Sequence, residues 1–160
     1  MRRPLVGLLL TLSVGCAKVA PETTHRGLVP GVQLSEDRTL QAELRVAREL
    51  LQQAATGEVI VDSMYAIPGQ APGSPSEEMR PASRTQMLRD SLNVNRGSGQ
   101  AVILRLSKPE LVDNWVRITA TIDYPMAAQP GRRGYHTVEY TLEGGAPAWT
   151  IRTRVQLGVT

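Results

Sequence analysis

Phenylalanine does not occur in these 160 residues, and aromatic residues of all kinds make up only 4% of the chain. A buried core must therefore be assembled from Leu, Val, Ile and Ala, with two tryptophans and four tyrosines as its few large pieces. Cysteine occurs once, as Cys16. A single thiol excludes an intrachain disulfide and excludes zinc sites built from several Cys and His ligands. The apolar run from Leu5 to Leu12 falls well short of the ~20 residues that a membrane-crossing helix needs. No serine or cysteine nucleophile motif is present, and no glycine-rich phosphate loop opens a helix. No motif points to a metal or a cofactor.

What is present begins with Arg2 and Arg3, then the apolar run, then Ser13, Val14 and Gly15 leading into Cys16. Basic, apolar and small regions in that order are the three parts of a secretory signal peptide. The segment "LSVGC" resembles the lipobox of bacterial lipoprotein precursors. That resemblance implies cleavage after Gly15, a diacylglyceryl group on the Cys16 thiol and acylation of the new N-terminus. Each buried methylene favours attachment by ~0.8 kcal/mol, so two or three chains hold a protein firmly on a membrane. The family's usual leucine three residues before the cysteine is Ser13 here, with Leu12 one step further back. Ala17 after the cysteine resembles the outer-membrane sorting pattern, which places the chain in the bacterial cell envelope. The rival reading is ordinary cleavage after Ala17, which gives a soluble periplasmic or secreted protein.

Removal of Arg2 and Arg3 takes the formal charge from +3 to +1. A nucleic-acid partner would need a basic stripe with stacking aromatics, and neither is evident. The expected layout is a signal peptide over residues 1–15, a lipid anchor site and tether over 16–33, and one α+β domain over 34–160. The tether reads so because "AKVAPETTHRGLVPGVQ" mixes Pro, Gly and Thr without a period, with His25 as an exposed linker residue.

"LSEDRTLQAELRVARELLQQAATG" predicts a long helix. Ser35 is its N-cap, Glu36 and Asp37 suit the first turn, and Leu40, Leu44, Ala47, Leu51 and Ala54, widened by Leu50, form an apolar stripe. "EVIVDSMYAI" predicts a strand, the proline-rich "PGQAPGSPSEEMRP" an exposed loop or flap, and "SRTQMLRDSL" a short helix opened by a Ser83–Gln86 capping box. Four alternating runs follow. Val102, Leu104 and Leu106 share one face, as do Val116, Ile118, Ala120, Ile122 and Tyr124, and His136, Val138, Tyr140 and Leu142. In the last run, Trp149, Ile151, Thr153, Val155 and Leu157 oppose Thr150, Arg152, Arg154 and Gln156.

This order, with the ending "VEYTLEGGAPAWTIRTRVQL", is similar to the NTF2-like (cystatin-like α+β) superfamily over residues 34 to 158. The resemblance implies a long N-terminal helix packed on a curved antiparallel sheet of four to five strands that forms a cone. The aromatic residues usual in that family's first helix are absent here.

His136 is the leading candidate for chemistry, because its strand parity turns it toward the cone interior. The resemblance implies a general base there with tyrosine donors nearby, and Asp62, Tyr65 and Tyr140 are the candidate neighbours. Arg105, Arg117, Arg152 and Arg154 share the polar sheet face, either as a binding patch for an anionic surface or as members of cross-strand ion pairs. Arg132 and Arg133 stand at a loop tip. The leading expectation is a tethered, non-catalytic binding or scaffold module. It would contact the membrane through its anchor, and an envelope protein or a small apolar ligand through its domain. An isomerase or dehydratase with His136 as general base is the alternative.

Overall fold

A computed structural model describes residues 35–52, 57–68, 70, 78–94, 97, 99–112, 115–145 and 148–159. The expected signal peptide, Cys16, the alternative cleavage position at Ala17, the expected tether and His25 lie outside the described residues. Helix α1 spans Glu36–Leu51, and Ser35 Oγ accepts from the Arg38 N–H at 3.4 Å. Leu44, Ala47, Leu50 and Leu51 of the expected stripe are buried, Leu40 is half-buried, and Ala54 is outside the described residues. Ala42, Glu43 and Val46 are buried as well, because α1 packs on two sides, against the sheet and against the second helix.

β1 is only Val59–Val61, much shorter than the expected strand. Asp62 Oδ1 accepts from the Met64 N–H at 3.0 Å, and this local bond turns the chain out of the strand. Helix α2 spans Ala82–Asn93. The expected Ser83–Gln86 capping box does not form: Pro81 takes the N-cap position, without a side-chain cap, and Ser83 lies inside the first turn. A proline suits a helix start, where its missing N–H has no intrahelical partner to lose.

Five strands follow: β2 (Val102–Leu106), β3 (Glu110–Val112), β4 (Trp115–Pro125), β5 (Arg133–Gly145) and β6 (Ala148–Val159). They form an open six-stranded sheet in the order β1-β2-β4-β5-β6, with β3 also pairing β4. The α+β expectation therefore holds at the level of class. Its details change: there are six strands rather than four to five, β1 pairs β2 in parallel, and the long helix is not N-terminal but begins at Glu36. β2 and β3 share one margin of β4 and are separated by one extra residue in the register. Pro109 lies in that break, where a donor is not required, and Ser107 Oγ steps in for a backbone carbonyl by accepting from the Thr119 N–H at 2.9 Å.

The helices cover the sheet face that carries Val102, Leu104, Leu106, Val116, Ile118, Ala120, Ile122, Val138, Tyr140 and Leu142, all buried as their alternation predicts. Trp149 locks α1 to the β5–β6 hairpin, since its Nε1–H donates to the Arg38 carbonyl at 3.1 Å. Gly144 in that hairpin has φ +100°, and a Cβ there would also meet the Ala148 oxygen at 3.0 Å.

β6 departs from its predicted face pattern. Its pairing with β5 shifts register twice, and β6 carries the extra residue each time: Arg152, between the Ile151 and Thr153 rungs, and Leu157, between the Gln156 and Gly158 rungs. Between the two shifts the faces exchange. Arg154 pairs with Tyr140 and Gln156 with Val138, which puts both on the helix side, while Val155 pairs with Glu139 on the outer side. The expected grouping of Arg154 with Arg105, Arg117 and Arg152 is corrected by this bulge.

Candidate functional site

The re-aimed segment of β6 creates the most unusual polar cluster on the helix side of the sheet. Arg154 reaches α1, its Nη1 lying 3.8 Å from Glu49 Oε1, and Glu49 also holds Arg45 at 3.5 Å. Below them, on β5, Tyr140 is fully buried with no hydrogen-bond partner for its hydroxyl. Burial pushes the phenol up to about 12, with Arg154 opposing the shift and Glu49 adding to it. His136, four residues earlier on the same face, also has a buried Nε2 without a partner. Burial, and then the Arg154 charge, holds its imidazole below the ordinary value. At neutral pH the cluster therefore presents a neutral imidazole and a protonated phenol under one guanidinium.

These two groups do not converge on one atom. Four strand residues hold their backbones about 13 Å apart, with Val138 between them. Nor do the other expected neighbours join them. The pairing line Val61–Leu104–Ile122–His136 separates Asp62 from His136 by three strand spacings, about 14 Å. Asp62 also serves the opposite face, where its Oδ2 accepts from Arg105 Nε at 3.2 Å. Tyr65 lies under the Arg80 guanidinium, 4.6 Å from its ring centroid. Of the four residues named from the sequence, the helix-side cluster contains His136 and Tyr140 only.

The outer face shows what the remaining arginines do. Arg105 bridges Asp62 and Asp123, at 3.2 and 3.4 Å. Arg117 binds Glu110 at 2.9 Å, and that hydrogen bond raises its pKa. Arg152 sits 3.7 Å from Glu143 and 5.1 Å from the Trp115 ring centroid. Arg133 binds Asp123 at 2.5 Å and also donates to the Ala101 carbonyl, while Arg132 donates to Gln129 in its own loop. Arg105, Arg117 and Arg152 thus each have a carboxylate beside them from a neighbouring strand or its end, whereas Arg154 pairs with Glu49 on α1.

Sequence reasoning did not single out the buried charge network between the helices. Arg80, at the end of the proline-rich segment, and Glu43 on α1 are both almost fully enclosed. Arg80 Nε donates to Glu43 Oε1 at 3.4 Å, its Nη2 to the Leu106 carbonyl at 3.2 Å and its Nη1 to the Asp62 carbonyl. Arg84 Nε approaches Glu43 Oε2 at 2.9 Å, close enough for an ion pair but not aligned as a hydrogen bond. Burial raises the Glu43 carboxyl, opposed by both arginines. The donors of Arg80 point at the Glu43 carboxylate and at two backbone carbonyls, so this network fastens the chain just before α2 to α1 and β2. One signal was available: Glu43 stands four residues before Ala47 and seven before Leu50, on the buried side of its helix.

Among the described residues, no helix is long and apolar enough to cross a membrane, and no three His, Cys, Asp or Glu residues are placed to hold a metal. No protein-family model matches the chain, and no curated protein or solved structure matches it either.

Proposed function

We propose that this chain is a lipid-tethered, non-catalytic binding module of the bacterial cell envelope, held on the membrane through Cys16. The observation that carries the non-catalytic half is the filled helix–sheet layer, with Leu44, Leu50, Leu104, Leu106, Ile118 and Leu142 buried there and His136 separated from Asp62 and Tyr65. The tether rests on the "LSVGC" lipobox resemblance. A long helix on an open sheet supports kinship with the NTF2-like cone, here with its interior occupied by side chains.

A second reading, an isomerase or dehydratase with His136 as general base, draws on the buried and unpartnered Nε2. It needs an acid partner within hydrogen-bond reach of the same reacting atom, and the 13 Å backbone separation from Tyr140, again about four strand residues, works against that.

Two experiments test the proposal. Metabolic labelling with an alkyne fatty acid marks the wild-type protein and fails on Cys16→Ser, which also leaves the membrane fraction; retention of the variant on membranes contradicts the tether. A stably folded His136→Ala protein keeps its cellular role, and loss of that role sinks the non-catalytic reading.

A further inference from the structure

The two edges of the sheet are finished differently. At one edge, the Asn93 carboxamide takes both backbone groups of Val59: its Oδ1 accepts from the N–H at 2.6 Å, and its Nδ2 donates to the carbonyl at 3.1 Å. α2 lies against the same three-residue strand. A side-chain amide thus stands where a neighbouring strand would pair. At the other edge, β6 runs for 12 residues, and among the described residues no strand pairs with its outer margin. From Ala148 to Val159 it has no proline, lysine or acid, and its only charged side chains are Arg152 and Arg154. Val155, Leu157 and Val159 are 49, 50 and 52% exposed along it. The bulges at Arg152 and Leu157 divide this margin into short straight segments, which selects against indiscriminate stacking of strands.

From this geometry we propose that β6 is a docking edge, and that its partner is an extended, acidic segment of another protein added alongside as a further strand. Charge selects the occupant. β6 carries Arg152 on the outer face and Arg154 on the helix face, and their carboxylate neighbours, Glu143 and Glu49, belong to other elements at 3.7 and 3.8 Å. A second copy laid antiparallel with its two-fold axis at residue 152, 153 or 154 sets the arginines of the two chains against each other, and like charges directly opposite destabilise a strand pair. A register centred on Val155 keeps them apart, with Arg154 opposite Gln156 and Arg152 opposite Gly158, so a second copy is the competing occupant that the test separates from the acidic segment. An incoming segment with a carboxylate on each face meets both guanidiniums, while its apolar residues cover Val155 and Leu157. The inference rests on the binding-module reading and names the partner chemistry for it.

The test is hydrogen exchange on the purified full chain with a blocked eight-residue peptide that alternates valine or threonine with glutamate. Its counterpart has lysine in place of glutamate. At about ten times its Kd, the acidic peptide slows exchange of β6 amides about tenfold, because binding protects by the factor 1 + [L]/Kd. The lysine peptide leaves them unchanged, and Arg152→Glu/Arg154→Glu reverses the preference. Equal protection by both peptides, protection confined to another element, or a concentration-dependent dimer that protects β6 without peptide overturns the proposal. A failed peptide experiment leaves the binding-module reading to its own genetic test. Loss of function in folded His136→Ala overturns that reading while a charge-selective result at β6 stands.

Discussion

Tyr140 shows at the residue scale how this core handles polar atoms. Its ring fills space that phenylalanine, absent from the chain, would otherwise fill, and its hydroxyl finds no partner there. Tyr140→Phe removes the orphan oxygen without changing the packing, so the variant is expected to match or exceed wild-type stability, by up to about 1 kcal/mol. A clear loss of stability in urea unfolding would mean that the hydroxyl has a partner. The pH dependence has a definite sign. The unfolded phenol ionises at its ordinary value near 10, and the folded one near 12. The unfolded state therefore gains from ionisation first, and stability falls as pH rises through that window, by roughly 2–3 kcal/mol once pH has passed the folded value. The difference in tyrosinate absorbance between wild type and Tyr140→Phe isolates this group; a midpoint near 12 is expected, and one near 10 contradicts its burial. Glu43 behaves differently, because Glu43→Ala leaves two guanidiniums facing a buried void. That variant is expected to lose about 3–5 kcal/mol in urea unfolding, and an unchanged midpoint would show that the Arg80 cluster carries no structural load.

At the scale of elements, the sequence pattern was most legible where strands run straight. β4 and β5 read correctly because Val116 to Ile122 and Val138 to Leu142 alternate without interruption and pair without a bulge. β6 misled because its residues keep alternating through Arg152 while the backbone does not: an extra residue inverts the face and leaves no local mark in composition. The same slip moved Arg154 from the outer face to the Tyr140 side. The two helix starts differ for a related reason. Ser35 and Ser83 look alike in sequence, but only Ser35 stands at a boundary, since Pro81 had already begun α2. Asn93 was invisible in this way too, because it ends one element and seals the edge of another 34 residues earlier. Asn93→Ala is expected to cost about 1–3 kcal/mol by leaving the Val59 backbone groups without partners. Its amide exchange should accelerate first at Val59. Unaltered protection of that amide would mean that α2, rather than the carboxamide, shields β1.

For the whole molecule, the decisive surface is the one between α1 and the sheet. Leu44 is buried on α1 as part of the hydrophobic core, and Leu44→Asp places an uncompensated carboxylate among aliphatic side chains, which should abolish cooperative unfolding altogether. A melting curve like the wild type's would contradict the packing described. On the proposed reading, the long margin of β6 is where the domain meets its partner. The most direct measurement is quantitative cross-linking in intact cells of three forms of the full chain: wild type, His136→Ala/Tyr140→Phe, and Arg152→Glu/Arg154→Glu. The account predicts the same discrete cross-linked complex from the first two and its loss from the third. Loss from the His136 and Tyr140 variant, with the complex intact in the charge-reversed strand, would contradict it.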